Sequence, residues 1–276
     1  MGKQSMFQDK SIVITGASSG LGAALGLELA RAGARVSLFS PESERQQEVA
    51  KRCSEAGAQA LAVIGDVTRP EDCRRLMEET VAEFGGIDYL IANAGISMWA
   101  KFEEVEDLKV FRKLMEVNYL GAVNCAYYAL PYLKQRRGML VAITSIQSKI
   151  GVPLHTGYVA SKHALQGFCE SLRMELALDG AGVDVLTVLP HWLRGTELRT
   201  HALSKEGKEL GASSRKHSSE SVSVEDACKA ILKAMGKRKR ELVIPWKLKL
   251  LLGLNLICPR LAESIITGKV KHQDLR

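Results

Sequence analysis

From Ser11 to Leu189 the chain alternates short apolar runs with longer stretches of helical spacing. The runs are Ser11–Ile14, Arg35–Phe39, Ala60–Ile64, Asp88–Ala92, Met139–Thr144 and Val183–Leu189. Between them lie helical patterns over Leu21–Ala32, Glu44–Ala56, Arg69–Phe84, Leu108–Lys134 and Gly157–Leu178. A strand that is apolar on both sides has no face to give to water, so it belongs in a parallel sheet covered by helices above and below. Right-handed crossovers between such strands yield a doubly wound, Rossmann-like α/β sheet in a single domain. A chain of 276 residues suits one such domain and buries its core without covalent staples.

The regular alternation stops after the sixth run. Residues 194–223 are rich in Ser, Gly, Lys and His, notably Ser213–Ser219, and read as a long mobile segment. Ser223-Val-Glu-Asp226 has the spacing of a capping box and opens a helix to Met235, and Glu241–Ile244 is a last strand. The main domain is therefore placed at residues 8–245, with 246–276 as a basic, apolar tail.

Charge and cysteine usage remove several function classes. The net charge of +7 is uneven: residues 231–276 carry +8 and the other 230 carry −1. A nucleic-acid face spread over the domain is therefore not expected. The six cysteines form no CxxC pair and no His stands at ligand spacing, so neither a disulfide framework nor a metal site is expected. No signal peptide and no run of spanning length appear, which leads to the expectation of a cytoplasmic protein.

Chemistry enters through residues at the ends of the apolar runs. Thr15-Gly-Ala-Ser-Ser-Gly-Leu-Gly22 joins the first run to the first helix. Glycines let the backbone approach a pyrophosphate, and a helix N-terminus offers free N–H groups to the anion. The turn has no Lys, which excludes a phosphate loop of the nucleoside triphosphatase kind. Tyr158 and Lys162 are one helical turn apart and share a face, so an ammonium can sit beside a phenol in one cleft and favour its ionised form. Ser145 follows the fifth run and Asn93-Ala-Gly95 the fourth, at the strand edge where such sheets hold ligands.

Together Gly16, Gly20, Gly22, Asp66, Asn93, Gly95, Asn118, Ser145, Tyr158 and Lys162 resemble the short-chain dehydrogenase/reductase family in order and spacing, over about residues 8–245. The resemblance implies a nicotinamide-dependent oxidoreductase that interconverts a ketone and a secondary alcohol. Tyr158 would be the general acid/base, Ser145 would stabilise the substrate oxygen, Lys162 would hold the nicotinamide ribose and lower the tyrosine pKa, and Asn118 would anchor a proton relay. The cofactor would be bound by Gly16, Ser18, Ser19, Gly20, Leu21, Gly22, Ser40, Asp66, Val67, Asn93, Ala94, Gly95, Tyr158, Lys162 and Pro190. The family also implies a homo-dimer or homo-tetramer, built partly on the helices of Asn118 and Tyr158.

Two places depart from the family pattern. Ser40 stands where an acidic residue would select NAD, yet Pro41 and Ser19 occupy the usual places of a basic selector. Ser40, Ser43 and Arg45 are left as contacts for a 2′-phosphate, so NADP(H) is expected over NAD(H). Pro190-His-Trp-Leu-Arg-Gly-Thr196 replaces the family's Pro-Gly, which unsettles the local backbone. For the substrate, Ser145, Tyr158, Trp99, Ile146 and Trp192 are expected contacts, and the surrounding apolar loops suggest a lipid- or steroid-like ligand. A small polar carbonyl and a catalytically silent cofactor-binding regulator are the rival readings. Residues 237–257 combine Lys237-Arg-Lys-Arg240 with an apolar, Trp-bearing run, which fits either a peripheral membrane contact or a cover over the cleft.

Overall fold

The computed structural model describes residues 5–211 and 221–274. Seven parallel strands form one sheet: β1 (Ser11–Thr15), β2 (Arg35–Ser40), β3 (Ala60–Ile64), β4 (Tyr89–Ala92), β5 (Met139–Ile143), β6 (Asp184–Pro190) and, last in the chain, a strand at Glu241–Ile244. Their spatial order is β3-β2-β1-β4-β5-β6 and then that last strand. Helices α1 (Gly20–Arg31), α2 (Ser43–Glu55), α3 (Pro70–Phe84), α4 (Lys109–Met115), α5 (Gly121–Arg136) and α6 (Thr156–Leu178) fill the crossovers.

The strands are apolar on both sides because both sides are core. Ile12 and Ile14 of β1 pack with Leu21, Leu25 and Leu29 of α1, whereas Val13 between them packs with Leu76 and Met77 of α3. Alternate residues of one strand thus feed two separate apolar layers. The chain winds outward in both directions from β1 and β4, so the carboxyl ends of those neighbouring strands flank a crevice.

Two features differ from the sequence expectation and a third matches it. The long helix expected over Leu108–Lys134 is interrupted by a wider, π-helical turn at Glu116–Leu120, which carries Asn118. Such a turn inserts a residue without breaking the apolar spacing, and turns of this kind recur at functional sites. The segment expected to be mobile is tied down in part. A short β7 (Leu193–Arg194) pairs with β8 (Val222–Ser223), and the Leu203 amide donates to Ser97 while the Leu203 carbonyl accepts from Trp99. Ser213–Ser219 lie outside the described residues. The expected capping box forms: Ser223 Oγ accepts from the Asp226 amide at 3.1 Å and opens α7 (Val224–Gly236).

After β9 (Glu241–Ile244) come α8 (Leu248–Ile257) and α9 (Pro259–Asp274). Leu248 and Ile266 of these helices pack on Ile146, Ile150, Leu189 and Val243. No helix among the described residues is long and apolar enough to cross a membrane.

Candidate active site

The glycine turn is held against the end of β4. Asn93 Nδ2 donates to the carbonyls of Thr15 and Gly16 at 2.9 and 3.1 Å, and Thr15 Oγ1 accepts from the amides of Asn93 and Ala94, both at 3.0 Å. Gly16 has φ of 63°, and a Cβ there would lie 2.8 Å from the Ala94 Cα. A Cβ on Gly22 would collide with the Gly16 carbonyl. The turn is thus a tight, side-chain-free cradle at the N-terminus of α1, whose first turn holds no acidic residue to compete with an anion. These features fit a dinucleotide's pyrophosphate.

Asp66 and Val67 follow β3. The Asp66 carboxylate accepts from the Thr68 amide at 2.9 Å, and the Val67 carbonyl accepts from Asn124 at 3.0 Å. Ser40, at the end of β2, is buried; its hydroxyl meets Ser18 Oγ at 3.0 Å and accepts from the Glu42 amide. It braces the turn and is not open to solvent. Among the basic groups near this corner is Arg45, whose guanidinium lies 2.6 Å from Glu197. Arg45, Arg52, Ser18, Ser19, Gly20 and Glu197 line a cavity of about 510 Å³ beside the turn. A Cβ on Gly20 would come within 3.5 Å of the Thr196 side chain.

At the ends of β4 and β5 the remaining candidates converge. Tyr158, Ser145 and Lys162 are 7%, 5% and 4% exposed. The Ser145 hydroxyl is near enough to the Tyr158 phenol to lower its proton affinity, and it donates to the carbonyl of Pro190 at the end of β6 at 3.4 Å. Ser145 is also positioned from its own backbone side, since its Oγ accepts from the Gln147 amide at 3.2 Å. Lys162 Nζ donates to the Ile143 carbonyl at 3.0 Å and lies 5.8 Å from the Tyr158 ring centre. Asn118, fully buried in its wide turn, accepts from the Ile96 amide at 2.8 Å and donates to the Ile96 carbonyl and to Ser161 Oγ, both at 2.9 Å. A Cβ on Gly95 would sit 3.2 Å from Asn118 Oδ1 and 3.3 Å from Lys162 Nζ, so the absence of a side chain there lets both polar groups reach the same spot.

Burial sets the proton affinities. It pushes the Tyr158 phenol up to about 12, and the nearby Ser145 hydroxyl opposes that rise. It pulls the Lys162 ammonium down to about 8. Ser145 is the group that draws the phenol down here, and the Lys162 ammonium is directed at the Ile143 carbonyl.

Beside Tyr158 stands an aromatic wall. Trp99 and Trp192 have ring centres 6.3 Å apart, and His155 packs edge-on to both, at 4.7 and 5.8 Å. The His155 ring lies 6.1 Å from that of Tyr158. Sequence reasoning passed over His155, although its place three residues before Tyr158 puts it one turn away. Ile146 is placed elsewhere: it is buried with Ile150, Leu189 and Leu248 under the C-terminal helices.

The short chain dehydrogenase model matches residues 10–207. The chain belongs to the short-chain dehydrogenase/reductase family. Among its relatives, 11-beta-hydroxysteroid dehydrogenase-like 3 of Arabidopsis thaliana is 33% identical over 255 residues, covering 92% of this chain and 79% of that protein. The 11-beta-hydroxysteroid dehydrogenase A of Sesamum indicum is 33% identical, covering 93% and 74%. A short chain dehydrogenase/reductase from Burkholderia phymatum, solved with NAD, superposes with a TM-score of 0.79 at 20% identity over 92% of this chain and 95% of that one. An alcohol dehydrogenase from Thermococcus sibiricus, solved with 5-hydroxy-NADP, gives 0.72 at 24% over 85% and 95%. These two structures share the fold. Membership of the family makes this protein an oxidoreductase acting on an alcohol/ketone pair.

Proposed function

We propose that the protein interconverts a ketone and a secondary alcohol on a largely apolar, steroid-like substrate, using NADP(H). The observation that carries this reading is the burial of Tyr158, Ser145 and Lys162 together at the strand ends, the Ser145 hydroxyl near enough to lower the proton affinity of the phenol, with aromatic rings alongside. Tyr158, protonated across neutral pH, gives its proton to a carbonyl oxygen and takes it back in the reverse direction. Ser145 donates to the same oxygen and steadies the charge that develops there. Lys162 holds the ribose next to the nicotinamide, and Asn118 fixes the Ile96 backbone and Ser161 behind it. The dinucleotide, seated on Gly16–Gly22, Asp66, Val67, Asn93–Gly95 and Pro190, supplies the hydride when bound. Trp99 and Trp192, with His155, offer flat apolar surface to a fused-ring substrate, in keeping with the names of the relatives. Exposed Leu120, Tyr127 and Met174 on or next to α5 and α6 support assembly of two or four copies through those helices.

The test is turnover of a panel of steroid and small polar ketones with NADPH and with NADH. The reading requires kcat/KM to be higher for the steroid ketones; preference for small polar carbonyls overturns it.

The NADP(H) preference rests on Arg45, since no acidic group stands at Ser40. A charge-assisted contact to a 2′-phosphate is worth about 1.5 kcal/mol or more, close to tenfold in affinity. Arg45→Gln is therefore expected to raise the Kd for NADPH about tenfold and to leave that for NADH within about twofold, as read by fluorescence titration. Equal losses for both cofactors would remove Arg45 from the selection.

A further inference from the structure

Helix α8 carries leucines on almost every side, yet only one side is used by the fold. Leu248 is buried and Leu251 and Leu252 pack with it on the Ile146 cluster. Leu250, Leu256 and Ile257 are 74%, 85% and 87% exposed, and Trp246 just before the helix is 67% exposed. Leu261 and Ile265 of α9, the next helix, are 50% and 39% exposed as well. At about 100° per residue, Leu250, Leu254 and Ile257 fall on the side opposite Leu248. Lys247 and Lys249 fall on the two flanks of that outward side.

The charge pattern is as one-sided as the apolar one. Residues 242–262 contain no Asp or Glu, but they contain Lys247, Lys249 and Arg260. All three are exposed, and none makes an ion pair among the described residues. An apolar stripe with unpaired cations on both edges and a tryptophan at one end suits a helix lying in the interface of an anionic bilayer. Leucine side chains enter the acyl region while the lysine stems reach back to the headgroups. A second copy of the chain is a poor occupant, because a two-fold contact would set Lys247 and Lys249 near their own counterparts.

We infer that α8, with Trp246 and the start of α9, is a docking face for an anionic lipid surface. The basic cluster Lys237–Arg240 is not part of it. That cluster precedes β9 and so lies at the opposite end of the strand from α8, where Arg238 pairs with Asp184 and donates to the carbonyls of Arg137 and Gly138. The inference does not depend on which substrate the cleft takes.

The full chain is mixed with vesicles of phosphatidylcholine alone and of phosphatidylcholine with phosphatidylglycerol, then sedimented. Binding is expected to the mixed vesicles, to weaken with salt, and to shift tryptophan emission to the blue, a shift absent in Trp246→Phe. Lys247→Glu with Lys249→Glu, and separately Leu250→Glu with Ile257→Glu, should each lower vesicle affinity at least about tenfold. Both pairs should keep the native circular dichroism and cofactor binding, because these side chains point away from the fold. Absence of sedimentation, or sedimentation unchanged in both pairs, overturns the inference. So does a dimer in light scattering that Leu250→Glu with Ile257→Glu dissolves while vesicles are ignored, for then a second copy covers the face.

Discussion

Tyr158→Phe is expected to lower kcat/KM by about a hundredfold to ten-thousandfold, the range spanned by a positioned general acid/base, while NADPH affinity and the melting temperature barely move. The ring of Tyr158 packs with Met98, Leu114 and Leu203, and phenylalanine fills the same space without leaving a void. The lost hydroxyl strands no buried partner, since Ser145 keeps its contacts to Gln147 and Pro190. What disappears is the proton. Because burial holds the phenol near 12, it stays protonated over the whole neutral range, and carbonyl reduction should show no tyrosine ionisation there. The fall in rate expected on the alkaline side belongs to Lys162, which loses its charge as pH rises through about 8. Kinetic titration of the reduction from pH 6 to pH 10 checks this. A variant that retains more than a tenth of the parent kcat/KM would remove Tyr158 from the proton transfer.

The sheet was legible in the sequence because its strands are apolar on both sides, a pattern only a two-layered cover explains. Ala60–Ile64 and Glu241–Ile244 were placed to the residue. The site was legible in part, since Ser145, Tyr158 and Lys162 lie next to strand ends or on one helical face, where spacing translates directly into position. Other parts were hidden for reasons that are also physical. The wide turn at Asn118 adds a residue inside a helix, and a periodic pattern three or four residues long absorbs that without trace. The pairing of Arg45 with Glu197 joins residues 152 apart, and no local pattern encodes it. Helix α8 has leucines all round, so its buried side emerged only from its contacts, and with it the burial of Ile146. His155 escaped because a lone histidine in a loop carries no spacing signal; its meaning comes from two tryptophans brought to it from separate loops.

Lys162→Met should stabilise the protein at neutral pH and abolish turnover. Burial lowers the ammonium from its ordinary 10.5 to about 8. At about 1.4 kcal/mol per unit, keeping the charge inside costs about 3 kcal/mol wherever the folded protein holds the proton. Methionine has nearly the same shape without the charge. It gives up the hydrogen bond to the Ile143 carbonyl, a loss of about 1–2 kcal/mol. The balance at pH 7 favours the variant by about 1–2 kcal/mol, a rise of several degrees in Tm for a chain of this size. The sign depends on pH in a definite direction. Between about 8 and 10.5 the unfolded chain binds the proton and the folded one does not, so the parent gains stability as pH rises. Near pH 10 its penalty is almost gone, the lost hydrogen bond remains, and the variant should be no more stable than the parent. Calorimetry of both proteins at pH 7 and pH 10 reads the crossover. A Tm difference that stays constant with pH would mean that Lys162 is not held charged against its surroundings. Under the proposed function the same cation that weakens the fold holds the nicotinamide ribose, which would account for a buried, costly lysine at this position.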